Sequence, residues 1–529
     1  MNGPHFAASL ALALAVIAAD GDRPRPPGRL AAGFAAEQLI SVVPMNRFYI
    51  MGWLSPPAES TSAVRIAELS GAGMNLALQA IADSGRVEDN LRRLDLAAAH
   101  GMQCMIWDSR FQRFDPDDPQ DGALVDSIVA DYRSHPAFFG YYMGDEPPRS
   151  VFEGAVKFFA PIRARDPEHP PYNNLLGRAG FKTRDEWLDY TRDYLSRVHP
   201  AVLCNDQYDF MRIGDRGQFV ENAAGLNALA REAGIPFWSF ILLIEHGVYR
   251  RVTTGELEWQ IGTLLAYGAR GIGYFTYWTP GPDTVWNWRP AIIDHDGQRT
   301  DWYPVVARLN RLARAAGDTL ASLAWLATVQ AGSVSPGGTR FTPNGWVSDV
   351  DGRAMLGHFV DSIGVRYLMV VNSDSLARRT ITLTLVDVTR ACVLDERADS
   401  WSAVECRPLD PGSRLALDLD AGGFALVRLE GGLAGVVVGG VAPRIQVMPN
   451  PAAGEVRLAA AGLSLGGHLE ILDSAGRRVW SRRLGPGNAT LAWRGERDSG
   501  ERVAPGLYFA RLEDERGVRV ARITWLGAR

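Results

Sequence analysis

Two carboxylates stand at the end of an aromatic, apolar run, Phe138-Phe-Gly-Tyr-Tyr-Met-Gly-Asp-Glu-Pro147. Apolar side chains at successive positions describe a strand covered on both faces. Pro147 ends its ladder. Asp145 and Glu146 are left at the C-terminal rim, the end of an α/β barrel that carries chemistry. Burial and a neighbouring carboxylate both favour the protonated form of such a group, which suits a general acid. Glu146 is the candidate acid. Glu245 closes a second apolar run, Phe237–Glu245, and is the candidate for an ionised partner acting as nucleophile. Glu256, Glu258 and Asp206 are alternatives for that second group. Asp108 follows Trp107 at the end of a third run and is a candidate ligand for a polar substrate. The chain has 15 Trp, and exposed Trp rings such as Trp286 and Trp288 suit stacking against sugar rings. A carboxylate at Glu146 could also simply favour the start of the next helix.

The frame for these residues is an alternation of strand and helix patterns between residues 40 and 322. Strand-like runs are Arg47–Trp53, Met74–Ile81, Met102–Asp108, Phe138–Glu146, Tyr172–Leu176, Val202–Tyr208, Phe237–Glu245 and Gly271–Trp278. Helical spacing fills the gaps, as in Val87–His100, Ala123–Arg133, Asp185–Val198, Gly255–Ala269 and Tyr303–Ala315. Gly101, Gly234 and Gly271 are expected to close helices. Eight units over roughly 280 residues predict a closed (β/α)8 TIM barrel, with an open doubly wound sheet as the alternative. Glu146 then ends strand four and Glu245 strand seven. Both open on one mouth, as a pair that cleaves glycosidic bonds with retention requires.

After residue 322 the helical spacing stops. Residues 323–430 alternate in short runs with turn signals and predict a β-sandwich. Gly431–Pro443 reads as a Gly/Val linker. Residues 445–529 form another all-β unit, marked by Pro449-Asn-Pro451, Leu469–Asp473, Trp493-Arg-Gly495 and Pro505-Gly-Leu-Tyr508. This unit resembles the immunoglobulin-like C-terminal domains of the flagellar-hook-cap and secretion-sorting type. The resemblance implies sorting or surface attachment.

The barrel resembles the large clan of retaining glycoside hydrolases with glutamates on strands four and seven, closest to those carrying Gly-Asp-Glu-Pro on strand four. Further matching positions are Asn205-Asp-Gln-Tyr208, the Gly268–Gly273 run into Tyr274-Phe-Thr-Tyr-Trp278, and Ile292–Gly297 before Trp302-Tyr303. The resemblance implies that Asp206 and Tyr208 touch the sugar and that Trp278 floors its site. It also implies a β-linked glucan or galactan as substrate. Much of the clan places Asn before the acid to bind a sugar hydroxyl. Asp145 stands there instead, and an ionised Asp accepts but cannot donate. Asp145 is thus a substrate-site residue with altered chemistry.

Other classes are set aside by composition. Lys+Arg 55 against Asp+Glu 60 gives a net charge of −5 with no basic stripe for nucleic acid. The nine His are scattered, and no metal or cofactor is implied. No nucleophile elbow or phosphate loop occurs. Phe6–Ala19 is a 14-residue apolar run before the Pro-rich stretch 20–39. It reads as a signal peptide (1–19) and is too short to span a bilayer. A secreted or cell-surface protein is expected. Cys392 and Cys406 lie on neighbouring strand-like segments, open to a disulfide in an exported chain. The rival to an exported glycosidase is a carbohydrate-binding surface protein on a degenerate barrel. An inverting or transglycosylating enzyme is a further alternative.

Overall fold

A computed structural model describes residues 47–430 and 444–527, apart from 80–83, 116–117, 119–120, 362–363, 396–399, 410–411, 449–451, 464–466, 474–476, 486 and 515–516. The expected signal segment 1–19, the stretch 20–39 and the linker 431–443 lie outside the described residues.

Eight parallel strands close a barrel: β1 (Tyr49–Trp53), β2 (Leu76–Leu78), β3 (Gln103–Ile106), β4 (Phe138–Asp145), β5 (Pro171–Leu176), β6 (Leu203–Asp206), β7 (Phe237–Leu242) and β8 (Gly271–Phe275). β8 pairs back onto β1, from Tyr49 against Gly271 to Trp53 against Phe275, which excludes the open sheet. The strands sit where the apolar runs put them. Eight helices follow: α1 (Ala63–Gly71), α2 (Val87–Ala99), α3 (Gly122–Tyr132), α4 (Phe152–Arg165), α5 (Arg184–Val198), α6 (Phe219–Ala233), α7 (Thr254–Ala266) and α8 (Trp302–Ala321). α5 and α7 start at capping boxes, Thr183 with Glu186 and Thr253 with Glu256.

The barrel interior is filled by Tyr49, Met51, Leu76, Leu78, Met105, Phe139, Tyr142, Tyr172, Cys204, Trp238 and Phe240. Large rings on β7 are matched by glycines on β8. A Cβ at Gly271 would lie 2.8 Å from the Trp238 ring, and one at Gly273 would lie 2.3 Å from Phe240. This is why Gly271 opens β8 and does not close a helix, as the sequence suggested. α7 ends at Ala266, and Gly268 takes the left-handed turn at φ +81°.

The sandwich has a six-stranded and a four-stranded sheet. The larger contains β9 (Ala324–Ala331), β11 (Ala354–Val360), β12 (Arg366–Asn372), β14 (Arg390–Asp395), β15 (Ser400–Val404) and β18 (Phe424–Glu430). The smaller contains β10 (Val347–Asp351), β13 (Arg379–Leu385), β16 (Arg407–Pro408) and β17 (Ser413–Leu419). Leu356, Leu368, Val370 and Val427 face Ile381, Leu383 and Leu415 between the sheets. The other face of the larger sheet, with Met355, Met369, Val371 and Phe424, joins the core of the barrel. It lies on α7: Gly262 approaches Val371 and Phe424, and Gly357 approaches the Ala266 carbonyl. Glu256 and Glu258, the alternatives for the second acid, are on this helix and do not reach the acids of β4. Both are at most 5% exposed, paired with Arg250 and Arg308.

The C-terminal unit has its own core of Leu458, Leu469, Ile471, Trp493, Ala510, Ile523 and Trp525. It lies between a three-stranded and a four-stranded antiparallel sheet. Its strands are β19 (Arg444–Met448), β20 (Val456–Leu463), β21 (Gly467–Asp473), β22 (Arg478–Leu484), β23 (Gly487–Trp493), β24 (Gly506–Asp514) and β25 (Gly517–Trp525). Cys392 and Cys406 are both free thiols and do not form a disulfide. Cys392 is buried on β14, and its Sγ contacts the Glu430 carboxylate at 3.8 Å. No helix among the described residues is long and apolar enough to cross a membrane.

Candidate active site

Alternation along a strand decides which side chains reach the mouth. On β5, Asn173 turns outward to the Tyr194 hydroxyl at 3.1 Å, and Asn174 turns to the acids. On β6, Asn205 turns outward to Asn222 at 2.7 Å, while Cys204 and Tyr208 belong to the barrel interior and Asp206 lies between them in register. Glu146 stands just past β4 in left-handed backbone, φ +43°. That conformation is strained for a residue with a Cβ. Its N–H is held by the Asn174 carbonyl at 2.8 Å. Tyr190 on α5 fixes the next residue by donating to the Pro147 carbonyl at 2.7 Å.

The result is a cluster of three acids. Asn174 Nδ2 donates to Asp145 Oδ1 at 3.0 Å and to Asp206 Oδ1 at 3.3 Å. The Glu146 carboxyl is in hydrogen-bonding contact with the Asp206 carboxylate. All three acids keep some exposed surface, but protein surrounds most of each carboxyl. Burial, then the charge of Asp206, then that of Asp145, pushes Glu146 well above the usual carboxyl range. Burial and the charge of Asp206 raise Asp145 to about 7. Asp206 is raised by burial to about 6, with hydrogen bonds from Glu146, Asn174 and Tyr208 pulling the other way. Of the three, Glu146 is the acid whose protonated form is favoured most strongly, and Asp206 is the least raised.

An aromatic wall stands over the same mouth. Phe275 is 5.1 Å from Trp53, 5.2 Å from both Tyr208 and His246, and 6.0 Å from Trp288. Trp288 stacks on His246 at 4.8 Å and on Trp286 at 5.8 Å. His246 Nδ1 donates to the Ile244 carbonyl at 2.9 Å, so the lone pair of the neutral ring is on Nε2. Burial lowers its pKa to about 4. The loops after β6 and β7 are zipped together over the wall, Arg212 N–H to the Val248 carbonyl at 2.9 Å.

The residues expected from sequence divide accordingly. Asp145, Glu146, Asp206 and Tyr208 are brought together. Trp286 and Trp288 stand in the aromatic wall. Glu245 is not brought to Glu146. It pairs with Arg212 at 2.8 Å and lines a separate cavity of about 290 Å³ with Arg251, Arg289 and Arg299. The strand-seven residue that joins the wall is His246. Asp108 is fully buried behind β3, where it accepts from the Tyr132 hydroxyl at 2.6 Å and pairs with Arg110 at 2.8 Å. It is a structural anchor and no sugar ligand. Trp278 is 6% exposed under the Arg65 guanidinium, and the β8 ring that stands in the aromatic wall is Phe275. Asn174, Trp53, His246, Tyr249 and Phe275 were not singled out from sequence. The available signal for Asn174 was an amide at the C-terminal end of an otherwise buried strand.

No protein-family model and no curated protein sequence matches the chain. Among solved structures it is similar to a glycoside hydrolase family 5 protein from Bacteroides vulgatus, at 13% identity and a TM-score of 0.48, covering 72% of this chain and 89% of that one. It is also similar to a catalytic mutant of a GH42 β-galactosidase from G. stearothermophilus, at 9% identity and TM-score 0.47, covering 73% and 98%. A β-galactosidase from Bacillus circulans sp. alkalophilus gives 10% identity and TM-score 0.47, covering 73% and 99%. The roles of individual residues rest on the geometry of this chain alone.

Proposed function

We propose that the chain is a glycoside hydrolase whose proton donor is Glu146. The observation that carries this reading is a cluster of three acids at a barrel mouth, in which burial and neighbouring charge favour the protonated form of Glu146, beside an aromatic wall. The aromatic faces suit the apolar face of a sugar ring, and the carboxylates suit its hydroxyls. Glu146 gives its proton to the glycosidic oxygen as the bond to the anomeric carbon breaks. Positive charge then develops at that carbon, and ionised Asp206 stabilises it. Water adds to the carbon and returns a proton to Glu146, whose affinity for it is raised by Asp206.

Product stereochemistry, retention or inversion, is read directly by NMR of the first-formed anomer. The substrate class favoured is a neutral glycan of the β-linked glucan or galactan type. The apolar run at 6–19 supports export, and the C-terminal unit supports sorting or attachment.

The test is turnover of aryl glycosides and polysaccharides by the wild type, Glu146→Gln, Asp206→Asn and Glu245→Gln. Glu146→Gln is expected to lose about 10²–10⁴-fold in kcat/KM. Glu245→Gln is expected to stay within about tenfold, since a group paired outside the mouth removes no transition-state contact. A complete loss in Glu245→Gln with a trapped glycosyl-enzyme would instead restore Glu245 as nucleophile. Binding without any turnover by the wild type would favour the carbohydrate-binding reading, which the outward Glu245 also supports.

A further inference from the structure

Asn174 touches all three acids of the site. Its amide nitrogen donates to Asp145 and Asp206, and its main-chain carbonyl receives the Glu146 N–H. The amide cannot be reversed, because that would set its carbonyl oxygen against two carboxylates. In the orientation it holds, Oδ1 is buried with no hydrogen-bond partner among the described residues. Native proteins rarely leave such an acceptor unpaired. The two donors are what its orientation serves.

We infer that Asn174 is the positioning residue that decides which acid keeps the proton. Its amide favours the carboxylate forms of Asp145 and Asp206 over that of Glu146, and its main chain fixes Glu146, which is left as the donor. This rests on Glu146 being the acid of the proposed hydrolase. The other titratable groups facing the cluster are the hydroxyls of Tyr142, Tyr172, Tyr190, Tyr208 and Tyr249 and the Cys204 thiol. Each is neutral in the physiological range. No Arg or Lys among the described residues acts on Asp145 or Glu146. With no cation at hand, hydrogen bonds must do the work that a guanidinium would otherwise do. Tyr208 supplies one to Asp206, and Asn174 supplies one to each aspartate.

The experiment titrates the carboxyl groups by ¹³C NMR of the labelled protein, in the wild type, Asn174→Ala and Asn174→Asp, beside pH profiles of kcat/KM. Removing the amide is expected to raise the titration of Asp145 and Asp206 by about one pH unit. The acidic limb of kcat/KM should move up with it, and kcat at neutral pH should fall about tenfold with KM little changed. Asn174→Asp preserves size and the main-chain bond, and it covers the case in which Asn174→Ala does not fold. Unmoved carboxyl titrations in a folded variant overturn the proposal, even if activity is lost. Shifted titrations in a protein that hydrolyses no glycoside reject the glycosidase reading and leave the positioning role standing.

Discussion

Asp145 is a carboxylate that the fold tolerates at a cost. Its folded-state pKa of about 7 lies well above the usual carboxyl value of about 4. Folding therefore takes up a proton between those two values. A raised folded pKa gives stability that is present at low pH and lost as pH rises through it. Asp145→Asn removes the buried charge and should melt about 2–4 °C higher at pH 8. At pH 4.5, close to the unfolded value, most of that difference should be gone, and below pH 4 the two proteins should melt together. His246 runs the opposite way, because its folded pKa is lowered to about 4, but it contributes equally to both proteins and cancels in the difference. Calorimetry across that range checks it. A variant less stable than wild type at pH 8 would mean that the Asn174 contact outweighs desolvation. The same substitution should not improve activity, since stabilising an active-site carboxylate commonly lowers function.

At the scale of strands and helices, strand alternation and the loops beyond it separate the residues that reach the mouth from those that do not. On β7, Trp238 and Phe240 face inward, but the strand ends at Leu242, and in the loop beyond it His246 turns to Phe275 while Glu245 turns to Arg212. On β3, Met105 and Trp107 face inward and Asp108 outward, where α3 supplies Tyr132 to receive it. On β8, Gly271 and Gly273 make room for the inward rings of β7, Phe275 follows them, and Trp278 falls outside under Arg65. On β6, Cys204 fills the barrel interior, and Asp206 above it and Tyr208 just past the strand follow on the same side to the mouth. The order of the strands was legible in the sequence because apolar runs and helical spacing set it, but their C-terminal ends were not: β7 stops at Leu242 and β8 at Phe275, three residues short of Glu245 and Trp278, because apolar residues continue into the loops. The inward face was not, because no run shows which of two neighbours a closed barrel turns inside. The burial of α7 was also hidden, since its glycines and charges read as ordinary amphipathic surface until a sheet covers them. That packing is testable at Gly357. A Cβ there would lie 2.5 Å from the Ala266 carbonyl oxygen, a backbone atom that cannot swing away. Gly357→Ala must push β11 off α7 and should destabilise the protein by about 1–3 kcal/mol, seen as an earlier thermal unfolding transition. An unchanged transition would show that sheet and helix are not held in that contact.

The whole molecule then consists of parts with different degrees of dependence. Barrel and sandwich share one continuous core through Met355, Met369, Val371 and Phe424, whereas the C-terminal unit closes a separate core of its own. A chain ending at Glu430 loses only that separate core. It should keep the turnover and the main melting transition of the full chain, to within about 2 °C. A chain ending at Ser322 loses the sheet that covers α7. It bares the apolar face of α7 formed by Gly255, Trp259, Gly262 and Ala266, which the sandwich now covers. Faces of that kind drive association. The shorter chain should therefore aggregate or fail to accumulate, although every acid of the site lies before residue 322. Soluble expression, calorimetry and glycoside turnover of the two truncations decide the matter. If the shorter chain were soluble and active, the sandwich would be an appendage, and the shared core would count for little. If the longer one lost its activity, the C-terminal unit would have to reach the barrel.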